Sequence, residues 1–234
     1  MNKEEFLKEL QKLNITYDNK MLNQLEVYKE FLKEYNMHTN LTAIKEDNEI
    51  YLKHFYDSLT VVKVINLNEV NNLIDVGTGA GFPGMVLKIF FPDLNVTLLD
   101  SNNKKTKFLS ELSEKLDVKV DIVNDRIENY SKSNLNRYDV VISRAVANLR
   151  VLSELSLPLL RKDGLFISMK GNASEEIKEA IHTLEIMNSK IIKKEVFELY
   201  NNAGTRTILA IQKFKNSVLE DIRSYDKILK KPLK

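Results

Sequence analysis

Apolar residues recur every three or four positions over the first third of the chain. Met21, Leu22, Leu25, Tyr28, Phe31, Leu32 and Tyr35 form one stripe, and Leu52, Phe55, Leu59 and Val62 form a second. Both patterns predict amphipathic helices. Between them, Asn36 to Ala43 reads as a loop, and Asp47 is placed to cap the second helix. The period then changes. Short apolar runs, of the kind seen in buried parallel strands, predict strands at 72–77, 96–100, 118–123, 138–143 and 164–171. Helical stretches fall between them at Pro83–Phe91, Lys104–Leu116 and Val146–Leu160, and a last one follows at Ser174–Met187. In the Lys104–Leu116 helix, Phe108, Leu109 and Leu112 face inward. Two β-rich runs, 190–200 and 205–214, flank Asn201-Asn-Ala-Gly204, a hairpin turn. The pattern predicts a Rossmann-like α/β fold: a mostly parallel seven-stranded sheet with a terminal antiparallel hairpin, behind an N-terminal helical extension.

This divides the 234 residues into an extension (1–70), a core (71–215) and a basic tail (216–234). No apolar run approaches the ~18 residues a membrane span needs. The first residues mix acids and bases and lack a signal-like apolar core, so a cytoplasmic protein is expected. Cysteine is absent, which excludes disulfides, thiolate metal sites and a cysteine nucleophile. The histidines (His38, His54, His182) are not spaced as metal ligands, so no metal is expected. Net charge is only +2, yet Lys213 to Lys234 holds seven Lys/Arg against three acids. Such a segment can meet phosphates, or be a solvated, frayed terminus.

Chemistry concentrates at Asp75-Val-Gly77-Thr-Gly79-Ala-Gly81-Phe-Pro-Gly84, between a predicted strand and helix. Ligands of open α/β sheets bind beyond such strand ends. A dinucleotide loop needs G-x-G-x-x-G, but Phe82 occupies the sixth position from Gly77. The G-x-G-x-G spacing suits S-adenosylmethionine, which has no pyrophosphate; a purely structural turn is the competing reading. Asp100 ends the second strand, placed either to accept hydrogen bonds from both ribose hydroxyls or to cap the next helix; the upstream loop favours the first. After the third strand, Ile127 is positioned either to cover an adenine edge or to sit in an ordinary strand-to-helix loop. Arg144, at the tip of the fourth strand, has three candidate partners: the cofactor's carboxylate, a nucleic-acid phosphate, or Glu128. Lys170 ends the fifth strand, facing phosphate or solvent.

Absences narrow the substrate. There is no (Asn/Asp/Ser)-Pro-Pro-(Tyr/Phe) element for exocyclic amines and no cysteine for pyrimidine carbons. A target with a ready lone pair fits, and guanine N7 is such an atom.

The chain resembles the ribosomal RNA small-subunit methyltransferase G family, also called glucose-inhibited division protein B. The resemblance rests on Asn40-Leu-Thr with Leu52-Lys-His-Phe-Tyr-Asp-Ser-Leu59, on the Ile74–Gly84 loop, on Leu98-Leu-Asp-Ser101, and on Val141-Ile-Ser-Arg-Ala145 with Met169-Lys-Gly171. It implies a class I enzyme that uses S-adenosylmethionine to methylate guanine N7 at one position of 16S rRNA, free or in the small ribosomal particle. A monomer is expected. The resemblance also implies cofactor contacts at Gly77, Phe82, Ile127, Glu128 and Arg144, beside Gly79 and Asp100 from the loop reading. It further suggests that His54, Asp57 and Ser58 help line the site. Tyr35 stands where relatives often carry tryptophan, and the tail only loosely echoes the basic tail of many relatives.

Overall fold

The computed structural model describes residues 1–144 and 146–233. Ala145, which closes the Val141–Ala145 motif, and Lys234, the last basic residue of the tail, lie outside the described residues. Seven strands, β1 (Asn72–Val76), β2 (Asn95–Asp100), β3 (Asp121–Asn124), β4 (Tyr138–Arg144), β5 (Leu160–Lys170), β6 (Ser189–Glu198) and β7 (Thr205–Lys213), form one sheet in the order β3-β2-β1-β4-β5-β7-β6. The first five are parallel, and β7 runs antiparallel to both β5 and β6. Strand order reverses between β1 and β4, which leaves a crevice at their carboxyl ends.

Alternation along the central strands sorts the helices onto two faces. Leu73, Leu98, Val140 and Ile142 point to one side and Ile74, Leu99 and Val141 to the other, all essentially buried. The first face is covered by α1 (Lys3–Lys12), α2 (Asn19–Thr39), α5 (Gly84–Phe90) and α6 (Asn103–Leu116). With them pack the single turns α3 (Asp47–Glu49) and α4 (Asp57–Leu59), which bracket a π-helical segment, Ile50–Tyr56. The second face carries α7 (Ile127–Ser133), α8 (Leu149–Ser156) and α9 (Ser174–Ile186). Phe108, Leu109 and Leu112 of α6 are fully buried, as the periodicity predicts, and Tyr35 packs edge-on against Phe31 and Phe108.

Local departures from the sequence reading have identifiable causes. The loop expected at Asn36 starts later: α2 runs to Thr39 and ends at Asn40, whose φ of 50° breaks it. Asn36 then clasps the following loop, donating to the Thr42 carbonyl and accepting from its N–H. Asp47 is not a cap; its carboxylate takes Lys29 at 3.0 Å and Lys33 at 2.5 Å. Strand β3 starts at Asp121 because Val118 still belongs to the end of α6, donating to the Ser113 carbonyl after a left-handed Asp117. Asn148 caps α8 and moves its start to Leu149.

The tail is not frayed. Its helix α10 (Tyr225–Lys230) seats Ile228 against Val151 and Leu155. Arg223 donates to Glu154 at 2.6 Å, with the carboxylate side chain only 1% exposed. Lys213 is fully buried, donating to Asn136 and to the Leu157 and Leu160 carbonyls, so it cannot meet phosphate. No helix among the described residues is long and apolar enough to cross a membrane.

Candidate functional site

The crevice at the strand tips is a cleft of about 620 Å³, a size that suits a nucleoside-like ligand. Gly77, Gly79, Phe82, Asp100, Ile127, Glu128 and Arg144 all line it.

Asp75, at the end of β1, shapes the loop beneath it. Its Oδ2 accepts the Thr78 hydroxyl at 2.7 Å and the Gly84 N–H at 2.8 Å, folding residues 77–84 into an arch. Burial pushes its carboxyl up to about 6, against the pull of these two bonds, and Oδ1 has no hydrogen-bond partner among the described residues. The N–H groups of Gly77 and Thr78 bind the Leu99 carbonyl and tie the arch to β2. Gly81 (φ 95°) has no room for a side chain, since a Cβ would lie 2.6 Å from Tyr28 Oη. Gly79 (φ 62°) is the opposite case: a Cβ there meets nothing within 4 Å and would stand in the open cleft.

Asp100 does not cap the following helix; it anchors the loop. Oδ1 accepts the Asn102 N–H at 2.9 Å and Oδ2 the Gly79 N–H at 3.0 Å, so it secures the loop and the approach to α6. The helix cap itself is Asn102, which accepts from Lys104. Asp100 Oδ1 keeps a second lone pair at the cleft wall, whereas Oδ2 also lies 3.5 Å from Lys105 Nζ. Asp100, the open space at Gly79 and the apolar Ile127 give the cleft a hydrogen-bond acceptor, room for close backbone approach and apolar cover.

Phe82 is the middle ring of a sandwich. Tyr28 stacks on one side at 5.2 Å and His54 on the other at 4.2 Å, nearly parallel in each case. Glu128 does not pair with Arg144. It accepts from Arg126 Nε at 2.7 Å, because both lie at the start of α7, and Arg126 in turn covers the ring of Tyr225 from the tail.

Arg144 instead reaches the N-terminal extension. Nη1 donates to Asp57 Oδ2 and to the Lys53 carbonyl, both at 2.9 Å, and Nη2 lies 3.2 Å from His54 Nδ1. Asp57 also accepts Arg206 Nε of β7 at 2.8 Å. Two arginines thus share one carboxylate, leaving an excess positive charge beside the cleft. Burial, and then the Arg144 charge, push His54 down to about 3 and keep it neutral. Ser58 turns away and donates to the His54 carbonyl. Lys170 faces neither phosphate nor solvent: it is buried, donates to the Ala147 carbonyl and pairs with Glu176 at 3.0 Å.

Sequence reasoning gave no role to Thr42, which it quoted only as part of a motif, or to Arg206 and Tyr225. Thr42 and Tyr225 also line the cleft. His54 and Asp57, three apart on one helical face, carried a signal without an indication of what they would meet.

Comparison with known proteins gives a consistent picture. The family model described as rRNA small subunit methyltransferase G matches residues 21–209. The Ribosomal RNA small subunit methyltransferase G of Staphylococcus carnosus is 43% identical over 218 residues, spanning 91% of each chain. That of Bacillus subtilis is 42% identical over 221 residues, spanning 93% of this chain and 92% of the relative. Among solved structures, a SAM-dependent O-methyltransferase from Thermotoga maritima superposes with a TM-score of 0.55 at 15% identity, covering 80% of this chain and 72% of the other. M. jannaschii TYW2 in complex with AdoMet gives 0.52 at 18% identity over 64% and 71%. These structural likenesses establish the fold.

Proposed function

The chain belongs to the rRNA small subunit methyltransferase G family, and from that premise we propose that it methylates N7 of one guanine in the 16S rRNA of the small ribosomal subunit. It is an S-adenosylmethionine-dependent rRNA methyltransferase. The observation that carries the reading is the division of labour within one cleft. One end offers an open glycine arch, a ribose-ready Asp100 and an apolar Ile127. The other end offers Arg144, held by Asp57, a carboxylate that also takes Arg206.

In this reading Gly77 and Gly79 let the backbone approach the cofactor, Asp100 accepts the ribose hydroxyls, Ile127 and Glu128 border the adenine, and Phe82 forms the floor. Arg144 supplies positive charge for the methionine carboxylate. S-adenosylmethionine supplies an electrophilic methyl on a cationic sulfur. Guanine N7 carries its lone pair already, so no proton has to be removed before attack. The cleft matches that economy: its one histidine, His54, is neutral and engaged at both nitrogens. Catalysis then rests on alignment and electrostatics. In this reading the Tyr225 ring, covered by Arg126, borders the adenine side of the cleft. The reaction is assigned to the cytoplasm, with a single chain as the working unit.

The test is methyl transfer from labelled S-adenosylmethionine to 16S rRNA, free or in small-subunit particles, mapped by borohydride/aniline cleavage. One enzyme-dependent cleavage at a guanine is expected. Label incorporated without cleavage would move the reaction away from N7.

A further inference from the structure

Thr42 ends a chain of hydrogen bonds whose proton positions are fixed from its far end. The Arg144 guanidinium has five N–H donors and no acceptor, so its contact with His54 assigns the acceptor role to Nδ1, the nearby Lys53 carbonyl being already taken by Arg144 Nη1. A neutral imidazole that accepts at Nδ1 carries its proton on Nε2. Nε2 therefore donates to Thr42 Oγ1, 2.9 Å away. The same oxygen accepts the Ile44 backbone N–H at 3.1 Å. Both lone pairs of the hydroxyl are then engaged, and its own proton has no acceptor among the described residues. The residue is held firmly, since Asn36 grips its backbone N–H and carbonyl. Thr42 lines the same cleft as Gly79 and Arg144, which leaves the cleft as the place for that proton to go.

A hydroxyl in this state donates and cannot accept. Guanine and adenine both present N7 as an acceptor, and they differ at the neighbouring atom: guanine has the acceptor O6, adenine an N6 amino donor. A donate-only hydroxyl pairs with the first and opposes the second. We propose that the Thr42 hydroxyl reads O6 of the target guanine. It is a specificity-determining and positioning residue whose direction is set by His54 and Arg144. This rests on the guanine-N7 reading above.

The experiment crosses one protein change with one base change. Small-subunit RNA is prepared with guanine, 2-aminopurine (which keeps N7 and lacks O6) or 7-deazaguanine at the target position. Each is methylated by wild type, Thr42→Val and Thr42→Ser. On guanine, Thr42→Val is expected to lower kcat/KM about tenfold, the effect of one lost hydrogen bond, and Thr42→Ser to restore most of it. The dissociation constant for S-adenosylhomocysteine should stay within about twofold of wild type, far below that loss. On 2-aminopurine, wild type and Thr42→Val should be equally slow. Equal loss by Thr42→Val on both bases, or weaker S-adenosylhomocysteine binding with unchanged RNA kinetics, would overturn the proposal. Methylation of the 7-deazaguanine RNA at that base by wild type would instead defeat the N7 reading beneath it.

Discussion

Arg144, at the tip of β4, and Asp57, in the N-terminal extension, form an ion pair with Nη1 and Oδ2 2.9 Å apart, 87 residues distant in the chain. Both side chains are largely shielded, at 15% and 5% exposure, and Asp57 serves Arg206 as well. The pair joins the extension to the catalytic end of the sheet and fixes the guanidinium at the cleft.

Asp57→Asn should therefore act on stability and site together. It leaves two shielded arginines without their counter-charge, for which a loss of roughly 3 kcal/mol is expected. S-adenosylhomocysteine binding should weaken in parallel. Urea unfolding and calorimetric titration check this, and an unchanged unfolding midpoint would remove Asp57 from its structural role.

The two glycines of the arch should separate folding from binding. Gly79→Ala places a methyl in open space at a left-handed φ, costing roughly 1–2 kcal/mol, but it should weaken S-adenosylhomocysteine roughly tenfold or more by filling the cradle. Gly81→Ala drives a Cβ towards Tyr28 Oη and should lower stability by about 2–3 kcal/mol. Equal stability of the two variants would contradict the geometry.

Asp100→Ala removes a carboxylate that secures Gly79 and lines the cleft where the proposed reading puts the ribose. The dissociation constant for S-adenosylhomocysteine should rise on the order of 10- to 100-fold, the range for a hydrogen bond to a charged group. Unchanged affinity would reduce Asp100 to a loop anchor.

How much of this was legible in advance divides along physical lines. Strands β1, β2 and β4 and the glycine arch were readable because burial on both faces makes continuous apolar runs and because only glycine tolerates the arch's backbone. Of the seven proposed cofactor residues, Gly77, Gly79, Asp100, Ile127 and Arg144 stood out because they lie at or just past strand tips, whereas Phe82 and Glu128 rested on the family resemblance. The partner of Arg144 was not, because Asp57 sits in a π-helical and single-turn region whose packing across β4 no local period reveals. Nor was the docking of the tail. Arg223 and Ile228 look like ordinary surface residues until their sockets, Glu154 and the Val151–Leu155 ridge, are known. Lys170 and Lys213 misled for a related reason: a lysine can be buried when backbone carbonyls receive it.

The tail's contribution should be measurable. Removing Arg223 leaves Glu154 buried with the Leu233 backbone N–H and a 3.5 Å contact to Arg150, where burial already pushes its carboxyl up. Arg223→Ala and Glu154→Ala should each cost roughly 3 kcal/mol, and the double variant should cost clearly less than their sum. Strict additivity would contradict the pairing.

His54 and Asp75 make opposed contributions to the pH dependence of stability. His54 is held down to about 3, so the unfolded chain binds the extra proton between about 6.5 and 3, and this contribution is lost as pH falls. Asp75 is held up to about 6; the folded protein binds the extra proton above the ordinary carboxyl value, and this contribution is lost as pH rises from about 4 to 6. The two slopes oppose each other over that overlap. His54→Gln should make stability fall more steeply as pH rises there, and Asp75→Asn should make it rise. Parallel curves for wild type and both variants would contradict the assignment.

The central claim is tested most directly in cells. The gene is deleted, and 16S rRNA is probed by borohydride/aniline cleavage before and after complementation with wild type or Arg144→Ala. The account predicts loss of a single N7-methylguanine signal, its return with wild type, and no return with Arg144→Ala at equal protein level. A signal that persists in the deletion strain would contradict the rRNA assignment itself.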